Sequence, residues 1–282
     1  MPGVEIFVVP SPLIFSRMKL FVLHYLQSKK FFNFWLRINH FSQICLNFYR
    51  GAAPVNSSGE HNIIKMIIGS CSSLESSTIV DCGANNGLYT DLVLKYSRKL
   101  PRVLLFEPTP DLFKLLSVKY SNASNVLLFS VALSNSIGES SFMVNNSRGQ
   151  LNSLLDSSCS VYSKPEAGNV VSSIMVQTTI LDRVCADLAI GSILLLKIDV
   201  EGAECLVLEG ANSMILSRKI RYIQLEYSKH SLSLLSFQLL YEKYSEIYRF
   251  SLLCSDGLAP ISGYSDSFES LQCAIFLMEL KS

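Results

Sequence analysis

The sequence predicts an α/β fold: a mostly parallel sheet with helices on both faces, preceded by a helical extension. Three observations carry this. From Thr78 onward, short β-branched runs alternate with helical apolar patterns, the signature of successive βαβ units. Ile193 to Val200 reads Ile-Leu-Leu-Leu-Lys-Ile-Asp-Val, apolar on both faces and therefore a central parallel strand. Thr78 to Thr90 reads Thr-Ile-Val-Asp-Cys-Gly-Ala-Asn-Asn-Gly-Leu-Tyr-Thr, a strand, a tight turn and a helix start in one stretch. Gly83 in that turn has no side chain to keep a ligand off the backbone.

Taken in order, residues 13 to 50 interleave Phe, Leu and Tyr with Lys and Arg and read as one or two helices. Ala52 to Gly59 is a linker, so residues 1–54 form an extension and residues 55–282 one domain. Glu60 to Gly69 carries Ile63, Ile64, Ile67 and Ile68 at helical spacing. The first strand is Thr78 to Cys82, and its helix runs from about Leu88 to Ser97. Arg102 to Phe106 is the second strand, followed by a helix from Asp111 to Tyr120, and Val126 to Val131 is the third. Ser140 to Val144 and Ser172 to Thr178 read as a hairpin-like excursion around a long polar loop, Asn145 to Gly168. A short helix over Thr179 to Ala189 precedes the central strand, and another follows from Ala203 to Leu216. Tyr222 to Leu225 is a strand and Ser231 to Ser245 a helix; Tyr248 to Leu253 and Cys273 to Leu277 suit a closing antiparallel pair.

Composition narrows the function. The net charge of +1 gives no reason to expect nucleic acid as a partner. The eight cysteines show no C-x-x-C pair and no repeated spacing, so neither a zinc site nor a disulfide framework is expected. Cys82, Cys185 and Cys205 sit in apolar patterns and read as small buried hydrophobes. The apolar start, Ile6 to Phe15, lacks a basic n-region and a cleavage site, and it is too short to span a bilayer. A cytoplasmic location is therefore expected. The extension has no acid between Glu5 and Glu60 but holds Arg17, Lys19, Lys29, Lys30, Arg37 and Arg50. It is expected to pack as a helical appendage, with a peripheral contact to an anionic membrane as the sharper alternative.

In open α/β sheets ligands lie at the carboxyl ends of the strands. Asp81, Glu107, Asp199 and Glu226 stand at such ends, with Glu201 and Glu204 just beyond. One acid there is a helix cap; four point to a common polar mouth. The turn Asp81 to Gly87 has one acid and two glycines but no G-x-G, and an acid is poor company for a pyrophosphate. Glu107 is placed to accept hydrogen bonds from both hydroxyls of a ribose. The combination favours S-adenosylmethionine, which has a ribose, an amino-acid tail and a sulfonium but no phosphate.

Three blocks then resemble the FkbM-type methyltransferases: Val80 to Gly87; Phe106-Glu107-Pro108; and Leu196 to Glu204, Leu-Lys-Ile-Asp-Val-Glu-Gly-Ala-Glu. Gly59-Glu60, Val131 to Ser134 and Thr179 to Asp182 are smaller echoes, and the resemblance spans roughly residues 58 to 227. It implies a class I, Rossmann-like methyltransferase using S-adenosylmethionine, usually for O-methylation of small molecules or glycans. Carried over by position, Asp81, Gly83, Asn85 and Gly87 would line the methionine side, Glu107 would hold the ribose, and Ala132 would border the adenine. Cys82 stands where such turns often have Val or Ile.

The expected activity is O-methylation of a sugar or another small polar acceptor. Asp199 is the first candidate for the base that takes the acceptor's proton, with Glu201, Glu226 and His230 behind it. The bland reading of Asp199 and Glu201 is that they cap the next helix, and that of His230, favoured over a catalytic role, is an ordinary loop histidine. Asp199, Glu201 and Glu226 are ligand types for a divalent cation, but no metal is expected. Lys197, inside an apolar strand, is expected to pair with one of these acids, because an unpaired buried ammonium is costly. Two rivals are a non-catalytic cofactor-binding module on the same fold and a nucleotide-dependent dehydrogenase.

Overall fold

The computed structural model describes residues 25–46, 59–145, 154, 171–228, 231, 234–270 and 273–282. The chain divides into two units, Met1–Leu46 and Asn47–Ser282. The described part of the first holds helix α1 (Phe32–Cys45).

The second unit is an α/β domain. It opens with α2 (Glu60–Ser70), β1 (Thr78–Cys82), α3 (Leu88–Tyr96), β2 (Arg102–Phe106), α4 (Pro110–Lys119) and β3 (Val126–Phe129). A small excursion follows: β4 (Ala132–Leu133), β5 (Gly138–Asn145) and β6 (Val171–Thr179). Next come α5 (Leu181–Asp187), β7 (Ile193–Ile198), α6 (Glu204–Gly210), α7 (Asn212–Leu216) and β8 (Ile220–Ser228). The chain closes with α8 (Phe237–Tyr244), β9 (Tyr248–Cys254), β10 (Gly257–Ile261) and β11 (Cys273–Leu280).

The large sheet has the order β10-β9-β11-β8-β7-β1-β2-β3. The strands from β3 to β8 pair in parallel, and β11 is antiparallel to both β8 and β9. Burial on both faces follows from the strand period of two. Val80, Leu104, Leu196 and Ile198 pack into one cluster with Leu181, Val207, Ile215 and Phe237 from α5 to α8. Ile79, Val103, Leu105 and Leu195 pack into a second cluster with Ile63, Ile67, Val93 and Leu116 from α2, α3 and α4. Among the described residues, no helix is long and apolar enough to cross a membrane.

The excursion is a three-stranded sheet, β4-β6-β5, rather than a hairpin alone. The third strand ends at Phe129, and Ala132–Leu133 instead pairs with β6. The helix expected over Ala203 to Leu216 breaks at Ala211. Here the Gly210 backbone lies against strand β4's exit: a Cβ on Gly210 would come within 2.0 Å of the Ser134 carbonyl oxygen. The Asp182 carboxylate accepts the Ser213 and Met214 amides at 2.7 and 3.0 Å and restarts the helix. The helix expected from Ser231 begins at Phe237, where the Ser236 side chain accepts the Leu239 amide. Most of the Asn145 to Gly168 loop lies outside the described residues.

Candidate active site

Strand order reverses between β1 and β7, with β2 and β3 on one side and β8 on the other. That reversal splays the loops leaving the two central strands and opens a crevice at their carboxyl ends. The crevice encloses about 600 Å³ of empty space, solvent at its mouth included.

The turn after β1 forms its floor. Gly83 has φ +77°, and a Cβ there would lie 1.9 Å from the Asp199 carbonyl oxygen. Only glycine lets the turn pass this close to the end of β7. The Gly83 and Ala84 amides donate to the Phe106 carbonyl at 3.2 and 3.1 Å, which ties the turn to β2. The Glu107 carboxylate accepts the Asn85 amide at 2.9 Å and the Thr109 amide at 2.9 Å. Glu107 is thus aimed by a backbone donor on each oxygen, and the Thr109 side chain adds a further hydrogen bond to the carboxylate. Burial raises its carboxyl above the usual value, and the Thr109 and Asn85 hydrogen bonds oppose the rise.

Ala132 and Leu133 of β4, Phe142 of β5 and Leu154 give the pocket an apolar wall, continued by Phe106 and Leu112. The excursion sheet therefore covers one end of the crevice. Asp199, Val200 and Glu201 form the other end. Asn85 (φ 50°) and Glu201 (φ 55°) are non-glycine residues held in the left-handed region, and both line the pocket. Such strain persists where surrounding structure imposes it, and it concentrates at functional sites.

The acids separate by depth. Asp81 is fully buried and is absent from the pocket lining. Thr90 donates to its Oδ2 at 2.8 Å, and Lys197 Nζ stands 3.4 Å from its Oδ1. Asp81 and Lys197 are direct neighbours in the β1–β7 register, which is why they meet. Lys197 also pairs with Asp199 Oδ2 at 3.1 Å and donates to the Gly83 carbonyl at 3.2 Å. Burial works against the Lys197 charge, but Asp199, Asp81 and Glu60 together push its pKa well above the ordinary lysine value. A second buried chain reaches this point: Gln224 donates to Glu60 Oε1 at 2.7 Å, and Tyr89 donates to Gln224 Oε1 at 2.7 Å. The Lys197 ammonium lies over the Tyr89 ring, 5.5 Å from its centroid.

Glu226 also lies outside the lining; it accepts Cys273 Sγ–H at 3.1 Å. Burial, then the Asp199 and Glu201 charges, push its carboxyl well up. Glu201 is raised to about 9 by burial, with Asp199 and Glu204 adding to it. Glu204 caps the β7–α6 turn, accepting the Gly202 amide at 2.9 Å and the Ser231 hydroxyl at 2.7 Å. Gly87 sits off the pocket, at the start of α3 with φ 79°. Its carbonyl accepts the Tyr120 hydroxyl at 2.8 Å. His230 lies outside the described residues.

Of the four strand-end acids, Glu107 and Asp199 reach the mouth, while Asp81 and Glu226 serve the protein beneath and beside it. Among the described residues, no group of three His, Cys, Asp or Glu side chains is arranged to hold a metal ion. Sequence reasoning missed the apolar cover from Phe142 and Leu154, and the Glu60–Gln224–Tyr89 chain. Lys197 and Asp199, two apart across the end of β7, were the legible signal of the hub.

Among the described residues, no lysine, arginine or histidine lines the pocket; its polar groups are Asn85, Glu107, Asp199, Glu201 and backbone. That donor set suits hydroxyls, an ammonium or a sulfonium beside an apolar ring, and disfavours phosphates. S-Adenosylmethionine fits it on each count.

The sequence model of one family, described as a methyltransferase FkbM domain, matches residues 81–250. A search of curated proteins finds no match. Among solved structures, the chain is similar to a methyltransferase FkbM from Methylobacillus flagellatus KT, at 15% identity and a TM-score of 0.46. That match covers 74% of this chain and 45% of the other, so the chain spans less than half of that protein's length. A precorrin-6y C5,15-methyltransferase from Geobacter metallireducens GS-15 matches at 9% identity, TM-score 0.41, covering 78% of this chain and 87% of that one. An S-adenosylmethionine-dependent O-methyltransferase from Thermotoga maritima matches at 9% identity, TM-score 0.32, covering 79% and 65%.

Proposed function

The chain belongs to the FkbM methyltransferase family and uses S-adenosylmethionine, and from that premise we propose that it O-methylates a sugar or another small polyhydroxylated acceptor. The observation that carries the reading is a crevice with no cation among its described lining residues and carboxyl groups at one end of it. Glu107 is cradled by two amides, and Asp199 and Glu201 line the far side.

When bound, S-adenosylmethionine supplies a methyl group activated by its sulfonium. The residues of this chain do the rest. Glu107 would accept hydrogen bonds from the ribose hydroxyls, and the Gly83–Asn85 turn would offer backbone to the amino-acid tail. Ala132, Leu133, Phe142 and Leu154 would enclose the adenine and exclude water. Because methyl transfer is an in-line displacement, alignment of the acceptor oxygen is a large part of the catalysis.

The acceptor hydroxyl must lose a proton as it attacks, and Asp199 is assigned that role. It is partly exposed to the crevice and is held in place by Lys197 at 3.1 Å. Glu201, with its carboxyl raised to about 9, is protonated at neutral pH and can donate a hydrogen bond to an acceptor oxygen. Glu226 stays behind the wall, bonded to Cys273.

The test is transfer of labelled methyl from S-adenosylmethionine to parallel panels of saccharides and of amines. Labelled saccharides are expected, with turnover abolished in Asp199→Asn and cofactor affinity kept. Labelled amines with silent saccharides would overturn the acceptor class; full turnover by Asp199→Asn would return that residue to a capping role.

A further inference from the structure

Helix α1 (Phe32–Cys45) buries none of its side chains. Phe34, Ile38, Phe41 and Cys45 recur at steps of four, three and four, which sets them along one helical face. Phe34, Ile38 and Phe41 are 51%, 45% and 64% exposed. Trp35 borders this face, with its indole N–H donating to the Leu26 carbonyl at 2.7 Å. Asn33, Arg37 and His40, at the same spacing, form a polar stripe beside it.

Charge decides what covers such a face. Lys29 and Lys30 lie just before the helix and Arg37 lies within it, and from Ile6 to Gly59 the sequence contains no acid. A second copy of this chain would bring an equally acid-free, cationic stretch against this one, which is unfavourable. An anionic lipid surface complements both features at once, accepting rings into the acyl boundary and cations at headgroup phosphates. At 14 residues, α1 is shorter than the about 20 needed to span a bilayer, and a helix of that length lies along the surface.

We propose that residues 25–46 form a docking surface for an anionic membrane. Phe34, Ile38 and Phe41 enter the headgroup–acyl boundary, Trp35 sits at the interface, and Lys29, Lys30 and Arg37 contact lipid phosphates. The inference is independent of the acceptor's identity.

The experiment is sedimentation of the full chain with two kinds of vesicle: phosphatidylcholine alone, and phosphatidylcholine with about 30% phosphatidylserine. The chain is expected to pellet with the anionic vesicles only, and less as salt rises. Phe34→Asp/Phe41→Asp and, separately, Lys29→Gln/Lys30→Gln/Arg37→Gln should each weaken partitioning by about tenfold or more. Both variants should keep the parent's thermal midpoint and S-adenosylhomocysteine affinity, which shows that the domain is intact. Equal pelleting with both vesicles, no pelleting, or pelleting untouched by the variants would overturn the proposal. So would a dimer that Phe34→Asp/Phe41→Asp dissociates without any vesicle binding, which would assign the face to a second copy.

Discussion

Replacing Lys197 by methionine removes the ammonium beneath the site and leaves the Asp81 carboxylate stranded. Asp81 is fully buried, and among the described residues its Oδ1 has no hydrogen-bond partner, only the Lys197 ion pair at 3.4 Å. Breaking one side of a buried pair costs about 3 to 5 kcal/mol, because the remaining charge is uncompensated. Asp199, the other partner, lines the crevice and can recruit water, so it adds little to that cost. In a domain of this size each kcal/mol moves Tm by roughly 2 to 4 °C, so the expected fall is about 6 to 20 °C. Thermal unfolding of Lys197→Met, of Asp81→Asn and of the double variant completes the measurement. The double variant should recover much of the loss, giving a coupling of about 2 kcal/mol or more. A single-variant cost below about 1 kcal/mol, or a double variant as unstable as the two losses added, would refute the hub as described.

The Glu201 carboxyl, raised to about 9 in the fold from an ordinary 4.5, binds its proton more tightly folded than unfolded. Its contribution to stability is therefore fully present below about pH 4.5 and is lost as pH rises towards about 9. Glu201→Gln should flatten the fall in Tm across that window, read by thermal unfolding at a series of pH values; an unchanged profile would place the titration elsewhere. Gly83→Ala forces a Cβ to within 1.9 Å of the Asp199 carbonyl oxygen at a φ of +77°. It should cost a few kcal/mol of stability and most of the cofactor affinity, checked by melting and by calorimetric titration.

Much of the sheet was legible because parallel strands buried on both faces must be apolar throughout, as Ile193–Ile198 is. The glycine turn and Glu107 were legible for a related reason: close backbone approach and a strand-end acid leave few alternatives. Strand β10 was not, since Gly257-Leu-Ala-Pro-Ile is short and contains a proline, tolerable here at the sheet's edge. The break at Ala211 was hidden because Ala, Asn and Ser continue a helical pattern. Its causes, the Ser134 carbonyl against Gly210 and the Asp182 cap, come from elsewhere in the sequence.

Asp81 shows the limit most clearly. Its place at the end of β1 pointed to the ligand, but which way a strand-end carboxylate turns depends on its neighbour across the sheet. That neighbour is Lys197. The Phe142 and Leu154 cover was equally out of reach, because it depends on how the excursion sheet folds back over the crevice.

The central claim is that this crevice, with Glu107 as its ribose acceptor, binds S-adenosylmethionine and not a dinucleotide. Isothermal titration with S-adenosylhomocysteine tests it directly, with NAD titrated in parallel. Glu107→Gln is the sharper variant. It keeps an acceptor oxygen for one backbone amide, whereas Glu107→Ala would leave both the Asn85 and Thr109 amides without their partner. The account predicts binding of S-adenosylhomocysteine, none of NAD, and a loss of about 1 to 3 kcal/mol in Glu107→Gln. Binding of NAD without S-adenosylhomocysteine, or full affinity in Glu107→Gln, would contradict it.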